Sequence, residues 1–203
     1  LYTTEYTNKD EVYQAANKLN ERICEEGFVL LKNEGNALPL ASGSRITVFG
    51  KNSVNLAYGG SGSSGGDKSA AIELYTSLQN AGFAVNPAMK PFYEDDKRSG
   101  ARRSENSTNL DDGNTVFYSI GETPQRLYTK EITDTYKDYN DAALVVLTRI
   151  GGEGFDLPRS MKDVEGARQD SDQYLQLDQL EADLLAAVCE AGVKKVVQLI
   201  NRD

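Results

Sequence analysis

The chain has 203 residues and a formal net charge of −9 at neutral pH. This length suffices for one hydrophobic core, so we expect a single domain over residues 1–203. The acidic balance argues against nucleic acid as a partner, because phosphates require basic surfaces. Histidine is absent, which excludes a Ser-His-Asp triad and nearly all zinc sites within the chain. The remaining catalytic candidates are carboxylates, and neither a cofactor nor a metal is expected.

No apolar run approaches the roughly 18 residues that a membrane-spanning helix needs, so no membrane partner is expected. The N-terminus lacks the basic start and apolar core of a signal peptide. It also lacks an initiator Met, which indicates a fragment or a processed chain. The compartment therefore stays open, with the cytoplasm favoured over secretion. Cys24 and Cys189 fall on predicted helices, and we expect free, buried thiols.

The first half of the chain alternates helices and strands. Asp10 is predicted to cap a helix whose apolar stripe continues past Gly27, to about Asn33. A strand that ends in glycine is predicted over 45–50. A helix over 69–81 and a short strand over 83–86 follow.

A loop rich in glycine and serine, residues 58–69, follows the first strand. The phosphate-binding pattern G-x-x-x-x-G-K-[ST] can be set against Gly62 to Ser69, but Asp67 stands where the second glycine belongs. Its carboxylate would repel a phosphate, so nucleotide binding is disfavoured. A flexible linker is the alternative interpretation, although a linker inside a compact α/β unit would be unusual.

The second half begins with a strongly polar segment, residues 94–114, which we expect to be a mobile surface excursion. Asp178 and Glu181 have capping-box spacing and begin a strongly amphipathic helix. Alternating strands and helices predict an α/β fold: a three-layer sandwich with a mostly parallel sheet and helices on both faces. The other predicted elements are an edge strand or crossing segment over 115–120, a weaker helix over 129–139 and a buried strand over 194–200.

The apolar run 142–147 is typical of a strand buried on both faces. The glycine-rich loop that follows it carries two carboxylates, Glu153 and Asp156. Ligand sites in open α/β sheets lie beyond the carboxyl ends of the strands, which makes this loop the main functional candidate. A turn with two solvated acids is the alternative interpretation.

Taken together, several segments resemble the second domain of glycoside hydrolase family 3, the β-glucosidase type. The resemblance covers nearly the whole chain, and the combination is specific although each segment alone is not. The similar segments are 26–34 with 38–40, strand 46–50 followed by 58–63, 141–147 followed by 149–156, and 175–201.

The resemblance implies an α/β sandwich domain that packs on a barrel domain carrying an aspartate nucleophile. Glu153, in Gly152-Glu153-Gly154, matches the general acid/base of the family. Ser63 matches a loop serine that reaches the bound sugar, while Phe155 and Asp156 correspond to positions beside the leaving-group subsite. The expected substrate is a β-linked glucoside or oligosaccharide, and the expected partner is the barrel domain of the same parent protein.

Two departures accompany this resemblance. A (β/α)₈ barrel needs about 250 residues, so none fits in this chain. The family domain normally continues beyond the strand that ends near Ile200, so we expect the domain to be incomplete at its C-terminus. A non-catalytic carbohydrate-binding or interaction domain of the same fold is the alternative function.

Overall fold

The computed structural model describes residues 4–57, 71–100, 118–119, 121–149, 159–162 and 164–202. The chain divides into two compact units, residues 1–36 and 37–203. Within the described residues, no helix combines the length and the apolarity that crossing a bilayer requires.

The smaller unit is built around helix α1, Lys9–Gly27. Asn8, not Asp10, caps this helix: its side chain accepts a backbone hydrogen bond at 3.0 Å. The helix ends where Phe28 adopts an extended conformation, with φ −70° and ψ 128°. The predicted continuation to Asn33 was therefore wrong. Glycine is a poor helix former, costing about 1 kcal/mol relative to alanine, and the apolar residues that follow Gly27 are exposed in this structure, so no packing extends the helix.

In the part of the larger unit that the structure describes there are six strands, and four of them form one parallel sheet in the order β2-β1-β4-β6. Strand β4 pairs with β1 through Ile46 and Ala142, and with β6 through Ala143 and Val196. The parallel sheet confirms the predicted α/β class. The strands are β1 (Arg45–Phe49), β2 (Ala84–Val85), β3 (Tyr118–Ser119), β4 (Ala142–Arg149), β5 (Val164–Glu165) and β6 (Val196–Arg202).

Both faces of the central strand β4 are covered. Successive residues of a strand point to opposite faces, yet Val145 and Val146 are both completely buried. The helices of the larger unit contribute Met89, Phe92 and Leu184 to the same core. This three-layer packing confirms the predicted sandwich. The helices are α2 (Leu74–Asn80), α3 (Met89–Glu94), α4 (Asp96–Ser99), α5 (Lys130–Thr133) and α6 (Gln179–Glu190).

Helix α6 begins as the sequence predicts. The side chain of Asp178 accepts a hydrogen bond from the Glu181 amide at 2.7 Å, and the Glu181 side chain accepts one from the Asp178 amide at 3.0 Å. This capping box satisfies amides at the start of the helix that have no partner within it. The helix predicted over 129–139 is instead divided into α5 and a 3₁₀ turn at Tyr136–Asp138.

The two cysteines lie on helices and are free, as predicted, but both are exposed. The expectation of buried thiols was wrong. Helix α1 has no buried residue. On α6 the neighbouring Val188 points into the core, and one residue further the helix has turned by about 100°, which carries Cys189 outwards.

The strand predicted within 115–120 occurs as β3, which pairs in parallel with β5 in a separate two-stranded sheet. The polar segment 94–114 is described only as far as Gly100. Helix α4 lies in that part, and its Ser99 is fully buried. Residues 101–114 lie outside the described residues, so the mobility of this segment stays a prediction.

Gly50 lies directly after β1, and two features exclude a side chain there: its backbone conformation and a close neighbouring atom. Its φ is +101°, and a Cβ atom built there would lie 2.3 Å from the carbonyl oxygen of Val146. Gly43 has a φ of +77°, but nothing lies within 4 Å of its Cβ position. Substitutions at these two glycines therefore distinguish the cost of backbone strain alone from the cost of strain together with a steric clash.

We expect Gly50→Ala to lower the free energy of unfolding by more than about 3 kcal/mol, because strand β4 would have to move. Gly43→Ala should cost only about 1–2 kcal/mol, the usual penalty for a left-handed conformation. Urea unfolding of both variants measures the difference. Equal losses would show that the close approach to Val146 is relieved at no cost.

Candidate functional site

The strand order places a topological switch point between β1 and β4. From β1 the chain moves outwards to β2, then returns to the other side of β1 to form β4 and continues to β6. In open α/β sheets, ligands bind beyond the carboxyl ends of the strands at such a point. The candidate site therefore lies beyond Phe49 and Arg149, the last residues of β1 and β4.

The predicted site residues follow these two strands in the sequence. Ser63 comes after β1, and Glu153, Phe155 and Asp156 come after β4. All four lie outside the described residues, so their roles stay predictions. The structure does describe the chain on either side of both loops, and buried polar side chains hold it there.

Arg149 is the main anchor at the end of β4. All three nitrogen atoms of its guanidinium donate hydrogen bonds, although the residue is only 7% exposed. Two bonds, at 2.6 and 2.8 Å, reach the two carboxylate oxygens of Glu181. Others reach the carbonyls of Tyr174 at 3.0 Å and Gln176 at 2.5 Å. The Tyr174 ring also lies beneath the guanidinium, 5.6 Å from its centre.

Lys51 is the corresponding anchor beyond β1. Its ammonium group is 1% exposed and donates to the Tyr93 carbonyl, the Asp96 carboxylate and the Ser99 hydroxyl, at 2.9, 2.8 and 2.6 Å. Charge-assisted bonds of this kind are about twice as strong as neutral ones. Lys51 therefore fixes the end of β1 to helices α3 and α4.

Ala57, the last described residue before the Ser63 loop, is tied to the end of β6. Its amide donates to the Asn201 side-chain oxygen at 2.6 Å, and its carbonyl accepts from the Asn201 side-chain nitrogen at 3.1 Å. The loop that carries Ser63 therefore begins at a fixed point near the same sheet edge.

Glu122 is a buried carboxyl beside Lys51. Its oxygens accept the Lys51 amide at 3.1 and 3.2 Å, and one of them accepts the Thr123 amide at 2.6 Å. Burial, with smaller contributions from the charges of Glu181 and Asp178, raises the pKa of Glu122 to about 8, although these hydrogen bonds act to lower it. Burial likewise raises the pKa of Asp178 to about 6. Near neutral pH Glu122 therefore keeps its proton, whereas Asp178 has mostly lost its own.

A cavity of about 380 Å³ lies along α6, between Leu184, Val188 and the aromatic rings of Tyr128 and Tyr136. None of the buried ions described above lines it, and it flanks the sheet. We therefore place the candidate site at the strand ends. In the described part of the chain, no group of three or more histidine, cysteine or acidic side chains could hold a metal ion.

The sequence interpretation missed Lys51, Glu122 and Arg149. Lys51 and Arg149 carry a recognisable signal, because each is a basic residue that closely follows an apolar strand pattern in the sequence. Glu122 offers no such signal, because its amide partner Lys51 is 71 positions away. Glu181 was found only as a helix cap, and its second role as the carboxylate partner of Arg149 was not.

Comparison with known proteins decides the family. The sequence model described as "Glycosyl hydrolase family 3 C-terminal domain" matches residues 28–203. The chain belongs to glycoside hydrolase family 3. The family 3 match covers the whole parallel sheet and all four predicted site residues.

The relatives of this family 3 domain are much longer proteins. It is 27% identical over 157 residues to beta-glucosidase A of Butyrivibrio fibrisolvens, covering 70% of the chain and 16% of that relative. It resembles the structure of beta-glucosidase 3B from Thermotoga neapolitana in complex with glucose with a TM-score of 0.67 and 27% identity, over 96% of the chain and 25% of that protein. A Paenibacillus barengoltzii beta-glucosidase shares the fold, with a TM-score of 0.61 and 22% identity over 91% of the chain and 18% of that protein.

The raised pKa of Glu122 predicts how stability depends on pH. Between its ordinary value of 4.5 and its folded value of about 8, the unfolded chain releases a proton that the folded chain keeps. The free energy of unfolding should therefore fall as the pH rises through this interval, by at most about 1.4 kcal/mol per unit. Glu122→Gln removes the titrating group, so its free energy of unfolding should not fall in this way. The variant should therefore become more stable relative to the wild type as the pH rises through the same interval.

Urea unfolding between pH 4 and 9 compares the two chains. Glu131→Gln serves as the control, since its side chain is 83% exposed and it should show no such divergence. A constant difference between wild type and Glu122→Gln at every pH would contradict the assignment.

Proposed function

We propose that this family 3 domain supplies the general acid/base of a retaining β-glucosidase, and that Glu153 is that group. Its relatives are named as beta-glucosidases, and the proposal extends that activity to the parent protein of this chain. It also rests on the resemblance of Gly152-Glu153-Gly154 to the acid/base segment of the family.

The switch point is the observation that supports the proposal most directly. Strand β4 leads into the loop with Glu153, and its neighbour β1 leads towards the loop with Ser63. Two segments far apart in sequence thus leave the sheet at one edge, where a ligand would be bound. In the proposed site Ser63 contacts the sugar, while Phe155 and Asp156 border the leaving-group side.

The proposed chemistry needs a second carboxylate from another domain. An aspartate of a barrel domain attacks the anomeric carbon, and Glu153 gives its proton to the departing glycosidic oxygen. Glu153, now ionised, then takes a proton from a water molecule that attacks the same carbon and releases the aspartate. The product keeps the β configuration because the carbon is inverted twice.

The acid must hold its proton near neutral pH. Two carboxyls at the same sheet edge, Glu122 and Asp178, already have pKa values raised by burial to about 8 and about 6. Burial against an apolar side chain would raise the pKa of Glu153 by the same cause. Phe155 is the proposed apolar neighbour of Glu153.

The substrate we propose is a β-linked glucoside or oligosaccharide. This chain spans 16% of one β-glucosidase relative and 25% of another. The barrel that holds the sugar and the nucleophile is accordingly proposed to belong to the same parent protein.

We expect the isolated chain 1–203 to hydrolyse no aryl β-glucoside, because it lacks the nucleophile that the mechanism requires. Colorimetric release of 4-nitrophenol from its β-glucoside measures this. Turnover by the purified chain that disappears in Glu153→Ala would contradict the proposed division of the site between two domains.

In the full-length protein, we expect Glu153→Ala to lower kcat/KM by about 10²- to 10⁴-fold for a β-glucoside whose leaving group needs a proton. A 2,4-dinitrophenyl glucoside needs none, so it should still form the glycosyl-enzyme, which accumulates. Azide needs no general base and should restore turnover, giving the β-glycosyl azide, identified by NMR.

Asp156→Ala is the matched control in the same loop and should show no rescue by azide. Were Asp156→Ala rescued and Glu153→Ala fully active, the wrong carboxylate would have been assigned. A full-length protein without glucosidase activity would favour the non-catalytic carbohydrate-binding alternative.

A further inference from the structure

The segment from residue 150 to residue 176 leaves the end of β4 and returns to the same place. At its start, Arg149 is the last residue of β4 and pairs with the end of β6. At its end, the carbonyls of Tyr174 and Gln176 accept hydrogen bonds from the Arg149 guanidinium. One side chain therefore joins both ends of the segment.

The same guanidinium also reaches the chain just beyond the Glu153 loop, through Tyr174. The Tyr174 ring packs in a small core with Met161 and Val164, which are 1% and 7% exposed. The Met161 amide donates to the Asp172 carbonyl at 2.6 Å, which binds the outgoing and returning parts of the segment together. Residues 150–158 are thus bounded by Arg149 on one side and by a core attached to Arg149 on the other.

A third connection runs to helix α6. Glu181 accepts two bonds from Arg149 and also caps the first turn of the helix. Because both partners are at least nine-tenths buried, solvent does not compete for these bonds. The guanidinium therefore holds strand, returning segment and helix in one arrangement.

From this arrangement we propose that Arg149 is a positioning residue for the proton transfer by Glu153. The proposal rests on the proposed function of Glu153. Arg149 does not contact the substrate; it fixes the two points between which the Glu153 loop runs. General acid catalysis depends on placing the proton within hydrogen-bond reach of the leaving oxygen, so a displaced loop lowers the rate of this step.

Lysine cannot replace arginine here. The contacts need donors on three separate nitrogen atoms, directed at two carbonyls and at both oxygens of one carboxylate. A lysine keeps the positive charge but concentrates its donors on one nitrogen. Arg149→Lys in the full-length protein therefore tests geometry while the charge is retained.

Arg149→Lys is expected to lower kcat/KM by about 10- to 100-fold for an alkyl β-glucoside, whose leaving group must be protonated. For the 2,4-dinitrophenyl glucoside, whose leaving group departs without a proton, the loss should stay below about 3-fold. The control is Lys194→Gln, which removes the exposed ion pair with Asp141 at the start of β4. It should change neither substrate's kcat/KM.

A double-variant comparison separates this proposal from the proposed function. If Arg149 acts through Glu153, Arg149→Lys should change kcat/KM for the alkyl glucoside by less than about 2-fold once Glu153 is Gln. An equal loss with and without Glu153 would overturn the positioning role. If Glu153→Gln alone left kcat/KM unchanged, the proposed function itself would fail.

Hydrogen exchange and a second variant, at the partner of Arg149, guard against a general folding defect. In Arg149→Lys, the amides of Met161 and Val164 should exchange faster, while those of β1 should remain as in the wild type. Glu181→Gln keeps an acceptor for Arg149 but removes the carboxylate charge, so it should discriminate between the two substrates in the same direction. Unchanged exchange at Met161 and Val164, or equal losses with both substrates in both variants, would overturn the proposal.

Discussion

The buried ion pair between Arg149 and Glu181 is the interaction on which the candidate site depends. Removing a charge from water costs several kcal/mol, and this cost is offset only when the partner and the hydrogen bonds are complete. Here the guanidinium has a carboxylate, two carbonyls of the returning chain and an aromatic ring around it. Loss of one member of such a pair costs about 3–5 kcal/mol, because the other charge stays buried. The arrangement therefore specifies one position for the chain around the loop.

A buried cation thus lies at or just beyond the end of each of two neighbouring strands, and each cation binds a different part of the chain. Lys51 joins the end of β1 to α3 and α4, and Arg149 joins the end of β4 to α6. Glu122 accepts the amide of Lys51, and the charge of Glu181 contributes to its raised pKa. The sandwich supplies a rigid edge in this way, and the glycine-rich loops that carry the proposed site residues extend from it.

Local patterns predicted the elements of this fold, and long-range contacts account for what they missed. Asp178 and Glu181 lie three positions apart, so the start of α6 could be predicted from the sequence. The apolar run 142–147 predicted β4 because its signal also lies within a few consecutive residues. Glu122 and Lys51 meet only because the fold brings them together, and no spacing rule could predict their contact. The end of α1 was missed because the apolar stripe was given more weight than Gly27. Glu153 and Ser63 follow β4 and β1 in the sequence, and the role of each stays a proposal.

The pairing of β1 with β4 has a consequence for how this domain is made. Ile46 lies beside Ala142, 96 positions further along the chain, whereas β2 offers β1 only two residues. Translation at about 5–20 residues per second leaves on the order of 5–20 s between the synthesis of β1 and that of its main partner. During this time Ile46, Val48 and Phe49, all buried in the folded domain, have no central strand to pack beside. Until β4 is synthesised, the nascent chain thus carries an apolar strand that has only the two-residue strand β2 available as a partner.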